Sequence, residues 1–149
     1  NRSINNSVTR IKNMENKFGM QRLITYEKLQ ENANKIKNDL LIYLINMKEK
    51  GKKVSAYGAA AKGNTLLNYA GIKHDLLNCV YDASPHKQNK YLPGSHIPVY
   101  SPERIKQDAP DVILILPWNL KDEIVSQLSY IKEWGGHFIT AIPELTLLD

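Results

Sequence analysis

The chain has 149 residues, of which 42% are hydrophobic, and this is enough for one domain with a substantial core. Its net charge of +5 comes from the N-terminal third, because residues 1–53 carry a net charge of +7 and residues 54–149 a net charge of −2. The N-terminal lysines lack the interleaved aromatic residues of a single-strand binder, and no apolar run has membrane-spanning length. We therefore expect neither a nucleic-acid partner nor a membrane partner.

The first third of the chain has the pattern of a linker followed by a helix. Residues 1–19 are polar with isolated apolar residues, as in an interdomain linker that becomes weakly helical. Residues 23–50 show a helical period, and Gly51 follows them as a C-cap. We expect one long amphipathic helix that leads into a domain spanning residues 20–149. Its apolar face consists of Leu29, Ala33, Ile36, Leu40, Leu44 and Met47.

From Lys53 onward, strand patterns alternate with helix patterns. A strand at 112–116, VILIL, is apolar at every position, as is typical of a strand covered on both faces. The alternation predicts an α/β fold, a Rossmann-like doubly wound and mostly parallel sheet of about five strands. The other strands are expected at 54–57, 78–82, 97–100 and 137–142. Helices are expected at 64–70 with Asn64 as cap, from Pro102 with Ser101 as cap, and at 119–131 with Asn119 as cap.

The residues that follow each strand are the candidate site, because ligands of such sheets bind beyond the carboxyl ends of the strands. The first of these stretches, GAAAKG, begins at Gly58 and lacks the middle glycine of a dinucleotide fingerprint. It also lacks the lysine followed by serine or threonine of a P-loop, since Lys62 precedes Gly63. Small residues, a helix start and a lysine nevertheless suit an anion. The alternative is a tight turn packed by alanines.

Three further features extend this candidate site. Asp82 ends the second strand, where it could bind a ribose hydroxyl or simply form an Asx-turn. The loop at 83–96 is rich in hydrogen-bond donors, which favours contacts with a sugar or phosphate, or with another domain. The donor residues are His86, Lys87, Lys90, Tyr91 and His96. Trp118 could stack on a base or sugar, or fill a domain interface. The candidate substrate-binding residues are Gly58, Lys62, Gly63, Asn64, Thr65, Asp82, Lys87, Tyr91, Trp118 and Asn119.

Metal and catalytic sites are not expected from the sequence. Cys79 is the single cysteine, and its apolar surroundings predict a buried, inert thiol. His86 and His96 share a loop without a third ligand at metal spacing. No serine–histidine–acid order or pair of carboxylates indicates catalysis. The cysteine usage is that of a cytoplasmic protein.

Three stretches of the chain resemble the C-terminal domain of the sugar-nucleotide C-methyltransferases, which use S-adenosylmethionine in deoxysugar biosynthesis. They read YGAAAKGNTLLNYAGI, YDASPHKQNKYLPGSHIPVYSPERI and PDVILILPWNLKDEIVSQLSYIKEWGGHFITAIPEL, and the resemblance runs from about Gln21 to Leu147. It implies a Rossmann-like domain, preceded in the parent enzyme by a zinc-binding domain and a methyltransferase domain. The methylated substrate in that family is a nucleotide-linked deoxysugar.

The resemblance also implies that this chain contributes to substrate binding or to domain packing. S-adenosylmethionine, zinc and the catalytic base then belong to the upstream domains, so we expect the isolated chain to hold no cofactor and to be inactive. Two other functions stay open. One is a stand-alone nucleotide-binding module of the nicotinamide or coenzyme-A type. The other is an interaction module that packs through its long basic helix.

Overall fold

The structure, a computed structural model, describes residues 6–148. The chain divides near residue 35 into two compact units. The first contains helix α1 (Asn6–Phe18) and the start of helix α2 (Ile24–Glu49). No residue of α1 is buried. Residues 1–5 of the expected linker lie outside the described residues, 6–18 are helical, and the interdomain role of 1–19 stays a prediction.

The second unit begins within α2 and contains the sheet. Leu40 and Leu44 of α2 are fully buried in it. The helix ends before Gly51, whose φ of +68° confirms the C-cap expected at that position. The remaining α-helices and strands are β1 (Val54–Tyr57), α3 (Ala61–Ala70), β2 (Val80–Tyr81), β3 (Lys90–Tyr91), β4 (Pro98–Tyr100), α4 (Ile105–Asp108), β5 (Val112–Ile115), α5 (Lys121–Gln127), β6 (His137–Thr140) and β7 (Thr146–Leu148).

The sheet of the described chain has seven strands in the order β3-β4-β2-β1-β5-β6-β7. Neighbours from β4 to β6 are parallel, and β3 and β7 are antiparallel edge strands. The predicted mostly parallel, doubly wound sheet is therefore confirmed, with two short edge strands that the sequence did not indicate. From β1 the chain first forms β2, β3 and β4 on one side, and it then forms β5, β6 and β7 on the other side. The strand order thus reverses between β1 and β5, which makes their carboxyl ends the switch point.

The core fills both faces of the sheet. On the first face, Val112 and Leu114 pack with α2 and α3, and on the second face Ile113 and Ile115 pack with α4 and α5. All four residues of β5 are buried, as its unbroken apolar run predicts. The alternation of the two sets along one strand follows from the period of two in an extended chain.

Two helix starts differ from the expected ones. Helix α3 begins at Ala61, and the Asn64 amide donates to the Ala60 carbonyl at 2.9 Å, so Asn64 lies inside the helix rather than at its cap. The alanines before Asn64 are strong helix formers, which accounts for the earlier start. Asn119 does not cap a helix either, because residues 118–120 form a 3₁₀ turn before α5. The expected Ser101 cap is confirmed, since its hydroxyl accepts from the Glu103 amide at 3.3 Å.

Candidate functional site

Two glycines bring the loop between β1 and α3 against the end of β5. Gly58 has a φ of +89°, and a Cβ there would lie 2.5 Å from Cδ of Pro117. A Cβ on Gly63 would lie 2.6 Å from Cβ of Leu116. The first and third fingerprint positions therefore serve a tight turn and close helix–strand packing, which are the roles that glycine has there in dinucleotide-binding folds. The middle position, where a backbone would approach a pyrophosphate, is Ala60.

Lys62, Trp118 and Asn119 contact one another at the switch point, and we call them the switch-point cluster. The Lys62 ammonium donates to Asn119 Oδ1 and lies 4.5 Å from the centroid of the Trp118 ring. These contacts give the Lys62 ammonium two partners, an amide oxygen and the face of an aromatic ring. At the crevice in which doubly wound folds commonly bind ligands, the Lys62 ammonium is therefore paired within the chain itself.

Asp82 joins the loop after β1 to the loop after β2. Its Oδ2 accepts from the Ala59 amide at 2.7 Å and from Lys87 Nζ at 3.1 Å. Its Oδ1 accepts from the Ser84 amide at 2.8 Å, which forms the Asx-turn considered from the sequence. Asp82 is only 7% exposed. Both carboxylate oxygens thus have partners within the chain, and the geometry favours a positioning role over a grip on ribose.

A cavity of about 480 Å³ opens beside the first turn of α3, and we call it the carboxyl-edge cavity. Its walls combine alanines and other apolar residues with basic side chains, and no acidic residue lines it. The lining residues are Ala59, Ala60, Ala61, Asn64, His86, Lys87, Lys90, Tyr91, Leu92, Pro93 and Val99.

The basic side chains of this cavity differ in their partners. Lys87 is paired with Asp82. Within the described part of the chain, His86 and Lys90 have neither a hydrogen-bond nor an ion-pair partner. Both are exposed, as is Tyr91 at 67%. The cavity therefore presents an uncompensated ammonium and an imidazole next to apolar walls.

The residues expected to converge at one edge fall into two groups. Asn64, Lys87 and Tyr91 line the carboxyl-edge cavity, whereas the three residues of the switch-point cluster do not. Thr65 is within α3 and donates to the Ala61 carbonyl at 3.1 Å. His86 and Lys90 were absent from the ten candidate substrate-binding residues, although the donor-rich loop at 83–96 was the signal for both.

A second cavity of about 530 Å³ lies on the other face of the sheet, and several of its polar groups are paired with one another. Tyr81 donates to Asp108 Oδ2 at 2.9 Å, and Arg104 Nε donates to the same carboxylate at 3.0 Å. Cys79 is 3% exposed and its thiol donates to Ser55 Oγ at 3.5 Å. Burial raises the pKa of the Cys79 thiol and of the Tyr81 hydroxyl, so both are neutral at pH 7. The expected burial of the Cys79 thiol is confirmed, and its inertness stays a prediction.

Metal-binding clusters and membrane-spanning helices are both absent from residues 6–148. No three His, Cys, Asp or Glu side chains of this range lie together as a metal site would need. None of its helices combines the length and the apolarity that crossing a bilayer takes.

Comparison with known proteins assigns the family. A family model described as the C-methyltransferase C-terminal domain matches residues 1–143. The chain belongs to this family. The C-methyltransferase C-terminal domain is 44% identical over 94 residues to C-methyltransferase NovU of Streptomyces niveus, a match that covers 63% of this chain and 22% of NovU. The resemblance noted in the sequence is confirmed, and it prevails over a stand-alone nucleotide-binding module.

A structural comparison supports the fold. The crystal structure of UDP-D-quinovosamine 4-dehydrogenase from Vibrio fischeri matches with a TM-score of 0.50 and 21% identity, over 66% of this chain and 93% of that one. At this identity the likeness concerns the Rossmann-like fold alone. It agrees with the strand order, in which parallel strands lie on both sides of β1.

Proposed function

We propose that this C-methyltransferase C-terminal domain belongs to an enzyme that methylates a nucleotide-linked deoxysugar with S-adenosylmethionine. Its role is to contact the sugar nucleotide, while methyl transfer takes place in other domains of the parent enzyme. The family and the similarity to NovU support this proposal. The resemblance seen in the sequence supplies the substrate class and the methyl donor.

The carboxyl-edge cavity is the observation that carries the substrate-side role. A nucleotide-linked sugar has a diphosphate, and the cavity offers Lys90 and His86 without an acidic side chain in its lining. It lies at the edge of the sheet where ligands of doubly wound folds bind. The proposed site therefore still includes Gly58–Thr65, Lys87 and Tyr91. Its main basic contacts come from the loop that follows β2 and not from Lys62.

Zinc does not fit the donors of this domain. Cys79 is buried against Ser55, and His86 and His96 lie in one loop. Zinc sites in proteins use three or four converging ligands. We therefore assign zinc and S-adenosylmethionine to other domains of the parent enzyme, in which the neighbouring methyltransferase domain is the partner of this one. A cytoplasmic location is part of the same proposal.

Hydrogen exchange on the complete parent enzyme tests the substrate-side role. Adding the sugar nucleotide should protect backbone amides in residues 58–65 and 83–97, because bound ligand slows local opening. Residues 101–111, on the other side of the sheet, are the internal control and should exchange unchanged. The proposal is contradicted if the sugar nucleotide protects other domains of the enzyme but no segment of this one.

Calorimetric titration of the isolated chain tests the division of labour. We expect no S-adenosylmethionine binding and no methyl transfer by the 149-residue chain, and both with the complete enzyme. Micromolar binding of S-adenosylmethionine to the isolated chain would place the donor site in this domain and refute the assignment.

A further inference from the structure

We propose that exposed apolar residues of the first unit form the surface on which the neighbouring methyltransferase domain of the parent enzyme docks. We call them the first-unit apolar residues, and they are Val8, Ile11, Met14 and Phe18 of α1 with Tyr26 and Leu29 of α2. None of them lines the carboxyl-edge cavity. The inference rests on the proposed function for the identity of the partner and adds the surface that binds it.

The first unit exposes large hydrophobic side chains and has no core in which to bury them. No residue in the range 6–35 is buried. Of the fifteen large hydrophobic side chains that are exposed in residues 6–148, nine lie between residues 8 and 29, and Phe18 and Leu29 are 74% and 66% exposed. Exposed apolar residues concentrated in this way mark an interaction surface, whereas single ones scattered over a protein do not.

The apolar residues of α1 lie on one side of the helix. Val8, Ile11, Met14 and Phe18 follow one another at intervals of three or four residues, which is the spacing of a single helix face. A helix of 13 residues is only marginally stable by itself in water, and α1 buries no residue within this chain. Packing of this face against a folded partner supplies the stabilisation that α1 otherwise lacks.

Helix α2 has one apolar stripe whose two halves differ in burial. The stripe runs through positions 26, 29, 33, 36, 40 and 44, at intervals of three or four residues. Leu40 and Leu44 are fully buried in the core beside the sheet, whereas Tyr26 and Leu29 are 46% and 66% exposed. The exposed half therefore continues a stripe that already packs on a folded body. This continuity favours a second folded body as the occupant.

The connection between the two helices is held by hydrogen bonds of its own. Thr25 Oγ1 donates to the Gly19 carbonyl at 2.7 Å, and the Tyr26 hydroxyl donates to the Met20 carbonyl at 2.6 Å. Gly19 has a φ of +81°, which suits glycine in such a turn. A surface that is ordered before binding loses less conformational entropy than one that must fold on its partner.

The charge of the first unit disfavours a second copy of the chain as the occupant. Residues 6–35 carry six basic and three acidic side chains, a net charge of +3. Two copies would bring like charges together around the apolar residues, whereas a partner with an acidic rim would not. The matched part of NovU is 22% of its length, so most of that enzyme lies outside the match. A neighbouring domain of the same parent chain is therefore the occupant that we assign.

Hydrogen exchange compares the complete parent enzyme with the 149-residue chain. Backbone amides of residues 8–29 should exchange at least about tenfold more slowly in the complete enzyme, because docking suppresses local opening. Residues 112–115 of β5 are buried within the chain itself, so they should exchange alike in both proteins. Equal exchange of residues 8–29 in the two proteins, with β5 protected in both, would overturn the proposal.

Matched variants test the same surface within the complete enzyme alone. Leu29→Asp places a charge in the exposed half of the stripe, and it should accelerate exchange of residues 8–29 at least about tenfold by undocking them. Ile42→Asp makes the same type of change on the same helix, at 59% exposure and outside the stripe, and it should change that exchange less than twofold. Equal effects of the two variants would contradict the assignment of this surface.

The other possible occupants give different results. We expect the isolated chain to sediment as a monomer and to leave phosphatidylglycerol vesicles unbound. A dimer that Leu29→Asp dissociates would assign the surface to a second copy, and vesicle binding that Leu29→Asp abolishes would assign it to a lipid surface. Either result overturns the proposal. Neither touches the substrate-side role, which is tested separately by protection of residues 58–65 and 83–97 on addition of the sugar nucleotide.

Discussion

The switch point and the carboxyl-edge cavity lie at the same edge of one sheet but differ in how far their polar groups are satisfied. At the switch point, Lys62 has an amide oxygen and an aromatic ring as partners. In the cavity, Lys90 has no partner among the described residues. A basic side chain with partners stabilises a surface, whereas one without partners beside apolar walls is available to a ligand. The difference teaches that a doubly wound fold can be kept while the basic side chain at its usual ligand crevice is paired within the chain.

The glycines of the loop between β1 and α3 show how the packing of a doubly wound fold is retained. Gly58 and Gly63 meet Pro117 and Leu116 at distances that no larger residue allows. They hold β1, α3 and β5 together. The middle position of the fingerprint serves the ligand rather than the frame, and it is Ala60 in this chain. A partial fingerprint therefore has a physical meaning here, because the positions that pack are retained and the position for close ligand approach is not.

The largest expected effect is on the frame of the switch point. Gly58→Ala would place a methyl group against Pro117 at a φ that disfavours alanine, and we expect a loss of about 3 kcal/mol in the free energy of unfolding. Urea denaturation measures this loss. Gly71→Ala is the matched control, since Gly71 has a φ of +68° with nothing within 4 Å, and it should cost about 1 kcal/mol. Similar losses in the two variants would mean that the Pro117 contact is relieved easily.

The next effect concerns the tie between the two loops of the cavity. Asp82→Ala removes the acceptor of three hydrogen bonds, two of them from backbone amides, and we expect a loss of about 2 kcal/mol in unfolding free energy. The apparent Michaelis constant of the complete enzyme for the sugar nucleotide should also rise, because Lys87 and the loop lose their anchor. Asp75→Ala is the control, as Asp75 forms only an exposed ion pair with Lys48 at 3.5 Å and should cost under about 0.5 kcal/mol. Unchanged stability in Asp82→Ala would refute its role as a tie.

The fold could be predicted from the sequence because buried strands and helices have a periodic pattern of hydrophobic residues. The unbroken apolar run of β5 and the alternation of strands with helices were sufficient for a parallel doubly wound sheet. Exposed edge strands have a weaker hydrophobic pattern. Lys90 and Tyr91 of β3 are both exposed, and their pairing with β4 depends on the preceding turn, in which Asn89 has a φ of +59°. Nothing in hydrophobic periodicity specifies such a turn.

The location of the candidate site could be predicted from the sequence. Its division into the switch-point cluster and the carboxyl-edge cavity could not. The rule that ligands bind beyond the carboxyl ends of strands pointed to the correct loops. The partner of Lys62 depends on the path of the chain after β5, where a 3₁₀ turn places Asn119 within its reach. Whether a lysine faces a neighbouring residue or an open cavity is decided by side-chain rotamers and loop geometry. Neither leaves a signal in the spacing of residues.

The smallest expected effect tests the comparison most directly. Lys62→Ala removes one cation–π contact and one exposed hydrogen bond, so the loss in unfolding free energy should be about 0.5–1 kcal/mol. The apparent Michaelis constant of the complete enzyme for the sugar nucleotide should change less than twofold, because Lys62 does not line the cavity. Lys121→Ala is a suitable control, as Lys121 forms an ion pair with Asp122 at 2.7 Å on the neighbouring helix. If Lys62→Ala raises this constant more than Lys90→Ala does, the ammonium of Lys62 leaves Asn119 for the ligand. The switch point would then be the binding side, as the sequence alone suggested.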